Sequence, residues 1–288
     1  MIPAAFDYKA PTSIDDVLQA LAQAGSDGTD VKLLGGGQSL LPVLRLRLAA
    51  PELVIDLAKV DGLRGVREDG DTIVIGAMTT HDEVTRDPLV RQHALLLAVA
   101  SETVADPQVR HRGTFGGALV HADPAGDLPA SALALDAELV IAEQGGARRT
   151  VPASEFFTDL FTTAVGEDEL LVEVRVPKYT GWGAHYEKFS RVAQAWSIVA
   201  VAAAVRVEGG SIAEARIGLT NMGSTPVRAT AVEQALVGQQ ATADAIRQAA
   251  ASAGEGTTPP EDANGDADYR RHLAGVLTSR AVLAAAGG

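Results

Sequence analysis

Two stretches of this chain combine residue types and spacings that can do chemistry. The first is Leu33-Leu34-Gly35-Gly36-Gly37-Gln38-Ser39-Leu40-Leu41-Pro42. Three consecutive glycines after a short apolar run permit positive φ and let a ligand approach the backbone closely. Successive N–H groups in such a turn form a concave anion site, to which Gln38 and Ser39 add side-chain donors. A pyrophosphate suits this arrangement; a flexible strand-to-helix connector would use the same glycines. The second stretch runs from Asp106 through Arg110-His111-Arg112-Gly113-Thr114-Phe115-Gly116-Gly117-Ala118 to His121-Ala122-Asp123-Pro124-Ala125-Gly126-Asp127. Here another glycine pair offers backbone donors, next to a Thr hydroxyl and a nearby Arg. Asp123 and Asp127 are acceptors suited to ribose hydroxyls or ring N–H groups; as turn formers they would have a plainly structural role, Asp123 before proline especially.

Neither stretch is a familiar nucleotide fingerprint. Leu40 stands where a dinucleotide fold would place its third glycine, and no Gly-Lys-Ser/Thr occurs. His111 and His121 match no compact metal-ligand spacing, so no metal site is expected. Two separated glycine loops predict one extended ligand clamped between two lobes.

The 288 residues suffice for two compact domains. A net charge of −13 disfavours nucleic acid, and the densest basic run is only Arg110-His111-Arg112. There is no cysteine, which excludes disulfides, a thiolate nucleophile, thiolate zinc and a thiolate-bound iron–sulfur cluster. The start of the sequence lacks a signal-peptide pattern. The longest apolar stretch, Ile198 to Val205, falls far short of the roughly 20 residues a membrane span needs. A soluble, cytoplasmic protein without an integral membrane segment is expected.

The elements that must position these stretches read as an α+β pattern. Ser13 caps an amphipathic helix with apolar positions at Ile14, Val17, Leu18 and Leu21, and Gly25 is its expected stop. Strands are expected at Val31–Leu34, Leu53–Leu57, Thr72–Met78, Leu139–Ala142 and Leu170–Val176, and helices at His81–Arg86 and Leu95–Val104. Pro177 to Gly183 is the expected boundary, giving domains 1–177 (divided near residue 57) and 178–288. Beyond it, Ile198–Val207 and Ile212–Leu219 flank Glu208-Gly209-Gly210, a hairpin signal. Helices follow around Ala229–Leu236 and Asp244–Ala253, then a loop over Gly254–Asp268 and a closing helix from Tyr269 to Ala286.

The segments GGGQSLLP and QVRHRGTFGGALVHADPAGDLPA resemble the two flavin signatures of the FAD-binding, or medium, subunits of the xanthine dehydrogenase and carbon monoxide dehydrogenase family. The resemblance extends over essentially the whole chain, from FDYKAPTSIDDVLQAL through LVIDLAKVDGL, IGAMTTH, FFTDLFTTAVGEDELLVEVRVP and YEKFSRVAQAWSIVAVAAAV to DYRRHLAGVLTSRAV. It implies a two-subdomain FAD domain of the vanillyl-alcohol-oxidase type followed by a smaller C-terminal domain with a sheet and helices. It implies FAD contacts from Leu33, Leu34, Gly35, Gly36, Gly37, Gln38, Ser39 and Leu40, and from Thr114, Gly116, Gly117 and Ala118. Asp123 and Asp127 match positions near the flavin's polar groups, and Val104 matches one that packs on the cofactor. Leu170, Leu171, Tyr186 and Lys188 match positions near the isoalloxazine ring. Val104 and the leucines also read as plain core, and Lys188 as a solvated surface residue. Tyr186 and Lys188 alternate along a strand and so share a face.

The chain departs from the family pattern at Ala118, at Asp159-Leu160 and at Ala195-Trp196. The implied function is electron relay: a small iron–sulfur subunit and a large molybdenum-cofactor subunit as partners, in a dimer of heterotrimers, with no catalytic residue in this chain. A stand-alone FAD-dependent oxidase of the same fold, acting on its own small substrate, and a scaffold without FAD are the competing readings.

Overall fold

The structure, a computed structural model, describes residues 1–287. The chain begins with β1 (Asp7–Lys9), α1 (Ile14–Asp27), β2 (Val31–Leu34), α2 (Leu40–Arg45) and β3 (Leu53–Asp56). These strands form a parallel sheet in the order β1-β3-β2. Ser13 caps α1 as expected, its Oγ accepting from the Asp16 N–H at 3.1 Å. The helix does not stop at Gly25. It continues to Asp27, and Gly28 ends it in the left-handed region at φ 70°. Gly25 therefore sits inside the last turns with open space where a side chain would be. Gly25→Ala is expected to stabilise the protein by roughly 0.5–1 kcal/mol, measurable as a raised urea midpoint.

A second, five-stranded sheet follows. Its members are β4 (Val66–Asp69), β5 (Thr72–Gly76), β6 (Glu138–Ala142), β7 (Arg148–Pro152) and β10 (Leu170–Pro177), in the order β4-β5-β10-β6-β7. Between β5 and β6 runs a helical layer: α3 (His81–Arg86), α4 (Pro88–His93), α5 (Leu95–Glu102), α6 (Pro107–Arg110), α7 (Phe115–His121) and α8 (Asp127–Ala134). Thr80 and Glu83 close a full capping box at the start of α3. Asp87 caps α4 and Asp106 caps α6, each followed by proline at the first helical position. Between β7 and β10 lie α9 (Ala153–Phe156) and a small hairpin, β8 (Phe157–Asp159) with β9 (Thr162–Thr163). The short pieces β4, α4 and α6 lack the periodicity that would make them visible in the sequence. The glycine stretch 113–117 is only partly a loop, since α7 starts at Phe115.

The last sheet is antiparallel, with β11 (Gly183–Phe189), β12 (Val199–Glu208), β13 (Ser211–Thr220) and β14 (Val227–Arg228) in sequence order. Gly209 and Gly210, at φ 57° and 82°, supply the two positive-φ residues that a tight β12–β13 turn needs. Three helices complete the chain: α10 (Thr230–Leu236), α11 (Ala243–Ala250) and α12 (Ala267–Ala285). The alanine-rich β12 is buried on both faces, with α12 on one side and α5 and α8 on the other. Arg228 ties this sheet to the rest. It donates to the Leu133 carbonyl at 2.9 Å and to Asp136 at 2.7 Å, and pairs with Glu233. Among the described residues no helix is long and apolar enough to cross a membrane.

Candidate functional site

A cavity of about 760 Å³ opens where the three sheets' loops converge, a size suited to a small-molecule or cofactor site. The first glycine loop leaves β2 and forms one wall. Gly37 is in the left-handed region at φ 77°, which turns the loop into α2. Among the described residues, the N–H groups of Gly35, Gly36, Gly37, Gln38, Ser39 and Leu40 have no protein acceptor. Six consecutive unpartnered amides on a cavity wall form a preorganised anion cradle. Their donors fit the charged oxygens of a pyrophosphate.

The second glycine loop plays a different part from the one the sequence suggests. Its amides are already engaged: Phe115 N–H donates to the Thr79 carbonyl at 2.8 Å, Gly116 N–H to the Ala77 carbonyl at 2.9 Å, and Gly117 N–H to Thr114 Oγ1 at 3.3 Å. Ala118 N–H donates to the Thr114 carbonyl at 3.0 Å. Most of this loop's amides are thus spent within the protein; among the described residues Thr114 N–H alone of residues 113–118 has no protein acceptor. The glycines serve contacts within the protein as well. A Cβ on Gly36 would lie 2.0 Å from the Arg112 carbonyl oxygen, and one on Gly116 would lie 2.6 Å from the Ala77 Cβ. The two loops thus meet backbone to backbone at Gly36 and Arg112–Gly113.

Asp127 is the polar hub beneath the cavity. Its side chain is 4% exposed and bridges to Lys188 Nζ at 2.7 Å, while Lys188 also donates to the Thr103 carbonyl at 3.1 Å. Tyr186 Oη and Ser197 Oγ both donate to Asp127 Oδ1, each at 2.9 Å. Burial pushes the Asp127 carboxyl up from its ordinary value, against the pull of Lys188 and the hydrogen bonds. Burial, and then the Asp127 charge, push the Tyr186 hydroxyl well above its ordinary value, so Tyr186 stays a donor. Tyr186 and Lys188 do share a face of β11, and what joins them is Asp127.

All the residues anticipated as cofactor contacts line the cavity except Leu34 and Tyr186. Leu34 packs its side chain towards Gly37, and Tyr186 stands behind Asp127. Asp123 lines the cavity while its Oδ1 accepts from Ala125 N–H at 2.9 Å, so it is a turn former as well. Val104, Leu170 and Leu171 are at the wall, with Val104 half-buried and the two leucines buried.

Several lining residues are not among the anticipated cofactor contacts, although Ala195-Trp196 is one of the departures noted above. Phe161, at the tip between β8 and β9, is 53% exposed with φ 53°, and its ring lies 5.3 Å from that of His121. Arg149 grips Glu169, whose Oε2 accepts from Gly166 N–H at 2.6 Å, and so fixes the segment 166–169 at the cavity. The Arg149 guanidinium holds the Glu169 carboxyl below the usual carboxylate range. His81, at the start of α3, is 4% exposed, and its Nδ1 has no hydrogen-bond partner. Burial, and secondarily the Arg110 charge, push the His81 imidazole down to about 4. From the C-terminal sheet, Trp196 reaches the mouth at 56% exposed, and Gln194 is held there by a 3.1 Å bond to Asp106.

Comparison with known proteins agrees with this geometry. Residues 4–179 match the family described as the FAD binding domain in molybdopterin dehydrogenase. Residues 184–285 match the CO dehydrogenase flavoprotein C-terminal domain. The chain is 43% identical over 288 residues to the carbon monoxide dehydrogenase medium chain of Hydrogenophaga pseudoflava, covering 99% of this chain and 98% of that one. It is 36% identical over 287 residues to the 6-hydroxypseudooxynicotine dehydrogenase complex subunit alpha of Paenarthrobacter nicotinovorans, with 99% and 96% covered. Among solved structures, quinoline 2-oxidoreductase from Pseudomonas putida 86 superposes with a TM-score of 0.93 at 34% identity, over 100% of this chain and 99% of that one.

Proposed function

The chain belongs to the family of FAD-binding medium subunits of molybdopterin dehydrogenases, and from that premise we propose that it relays electrons from the iron–sulfur clusters of a partner subunit through FAD to an external acceptor. The observation that carries this reading is the row of six unpartnered amides from Gly35 to Leu40 on the cavity wall. FAD, when bound, supplies the capacity to take up electrons singly and release them in pairs. The chain's own residues bind and orient it. Gly35 to Leu40 hold the pyrophosphate, and Thr114, Gly116, Gly117 and Ala118 form the wall it lies against. Asp127 and Lys188, which pair at the cavity, would meet the polar groups of the ring system, and Val104, Leu170 and Leu171 would supply apolar contacts.

The absence of cysteine means that the clusters must reside on another chain. We assign them to a small iron–sulfur subunit and the substrate chemistry to a large molybdenum-cofactor subunit, in a dimer of heterotrimers in the cytoplasm. The units that do this are residues 1–177, with a division near residue 57, and 178–288. The relatives include a carbon monoxide dehydrogenase and a dehydrogenase named for a nicotine-like compound, a spread that supports assigning substrate choice to the large subunit.

The test is anaerobic mixing of the FAD-loaded chain with the pre-reduced iron–sulfur partner. Bleaching of the visible flavin bands is expected, and none with carbon monoxide, aldehydes or N-heterocycles in the absence of partners. Bleaching by one of those substrates with the chain alone would instead establish the stand-alone oxidase.

A further inference from the structure

We propose that His81 is an additional ligand of the FAD pyrophosphate, donating a ring N–H to a phosphate oxygen where the two glycine loops meet. The proposal rests on the FAD reading above. The His81 ring stands in the cavity wall under Gly113: a Cβ on Gly113 would lie 2.8 Å from its Cδ2 and 2.9 Å from its Nε2. Gly113 and Arg112 are in turn the backbone against which Gly36 packs, so the imidazole lies beside the junction of the two loops. The ring is pinned there from its own backbone, since His81 N–H donates to the Gly113 carbonyl at 3.0 Å.

Three observations point to a ligand. First, neither ring nitrogen has a hydrogen-bond partner among the described residues, and while Nδ1 is occluded, Nε2 lies on the edge beside Gly113 at the loop junction, where a ligand oxygen would satisfy it. Second, the amides of Phe115, Gly116, Gly117 and Ala118 are spent on Thr79, Ala77 and Thr114, so the backbone on this side of the cavity offers few donors to an anion. An imidazole N–H would supply one opposite the free amides of Gly35 to Leu40. Third, burial and the Arg110 charge keep the ring neutral at ordinary pH, so one nitrogen carries a hydrogen and its donor capacity costs no buried charge. Rotation of the ring about Cβ–Cγ exchanges its two edges, so either nitrogen can be presented.

The experiment titrates apo-protein with FAD and, separately, with ADP, which carries the pyrophosphate without the flavin, for wild type and for His81→Leu, His81→Asn and His81→Gln. Folding of each variant is checked by thermal melting of the apo form. Loss of a hydrogen bond to a charged oxygen should weaken both FAD and ADP about tenfold in His81→Leu. It should also shift one of the two phosphorus NMR resonances of bound FAD. Asn or Gln, whichever mimics the donating nitrogen, should restore most of the affinity. Wild-type affinity for FAD and ADP in His81→Leu would overturn the proposal, as would a loss that neither Asn nor Gln repairs, which would make His81 a packing residue. Failure of the wild type itself to bind FAD would instead overturn the underlying reading.

Discussion

Asp127→Ala is expected to destabilise the chain by about 3–5 kcal/mol, because it leaves Lys188 charged and buried with only the Thr103 carbonyl as partner. The same change frees Tyr186 and Ser197 of their shared acceptor. Against a total stability of roughly 5–15 kcal/mol this is a large fraction. The loss should appear as a lowered urea midpoint followed by tryptophan fluorescence. It should also reach the cofactor, since Asp127 and Lys188 both line the cavity. Asp127→Asn, which keeps an acceptor for Tyr186 and Ser197, should lie between wild type and Ala. Adding Lys188→Met to Asp127→Ala should recover part of the loss, because the orphaned charge is then gone. A loss below about 1 kcal/mol in Asp127→Ala would mean that the pair contributes nothing beyond a surface bridge.

Gly36→Ala should weaken FAD binding by separating the two loops. The added Cβ meets the Arg112 carbonyl oxygen at 2.0 Å and the Gly113 Cα at 2.6 Å. Both are backbone atoms, so no rotamer change relieves the clash and one loop must move. Overpacking of this kind typically costs about 1–3 kcal/mol. Because the displaced loop carries the free amides, the loss in FAD affinity should be roughly tenfold to a hundredfold. Equilibrium dialysis against FAD measures it. Gly25→Ala, in open space on α1, is the matched control and should bind FAD as the wild type does. Unchanged affinity in Gly36→Ala would show that the loops do not act together.

The glycine loops illustrate what the sequence could and could not say. Gly35-Gly36-Gly37 after an apolar run reads either as an anion cradle or as a strand-to-helix connector, and the free amides favour the cradle. The demand for glycine at Gly36 comes from a residue far along the chain, Arg112, and no local pattern encodes such a contact. The second glycine stretch looks like a donor loop in sequence; most of its amides are consumed by Ala77, Thr79 and Thr114, which only the packing of the segment after β5 against the start of α7 reveals. Strand alternation placed Tyr186 and Lys188 on one face. That the face meets Asp127 on α8 is a long-range fact. The Gly209-Gly210 turn was legible because turn type is set by the turn residues themselves. The early stop assigned to Gly25 failed because a helix tolerates an interior glycine at modest cost, and the residue that ends it is the one at positive φ, Gly28. His81 and Phe161 reach the cavity through tertiary placement alone.

The most direct measurement is the visible absorption spectrum of the purified chain after addition of FAD and exhaustive dialysis. Retained oxidised-flavin bands at one FAD per chain, weakened in Gly36→Ala, are the predicted result. A folded wild-type chain without flavin bands, and with no FAD released on denaturation after assembly with the partner subunits proposed above, would contradict the account.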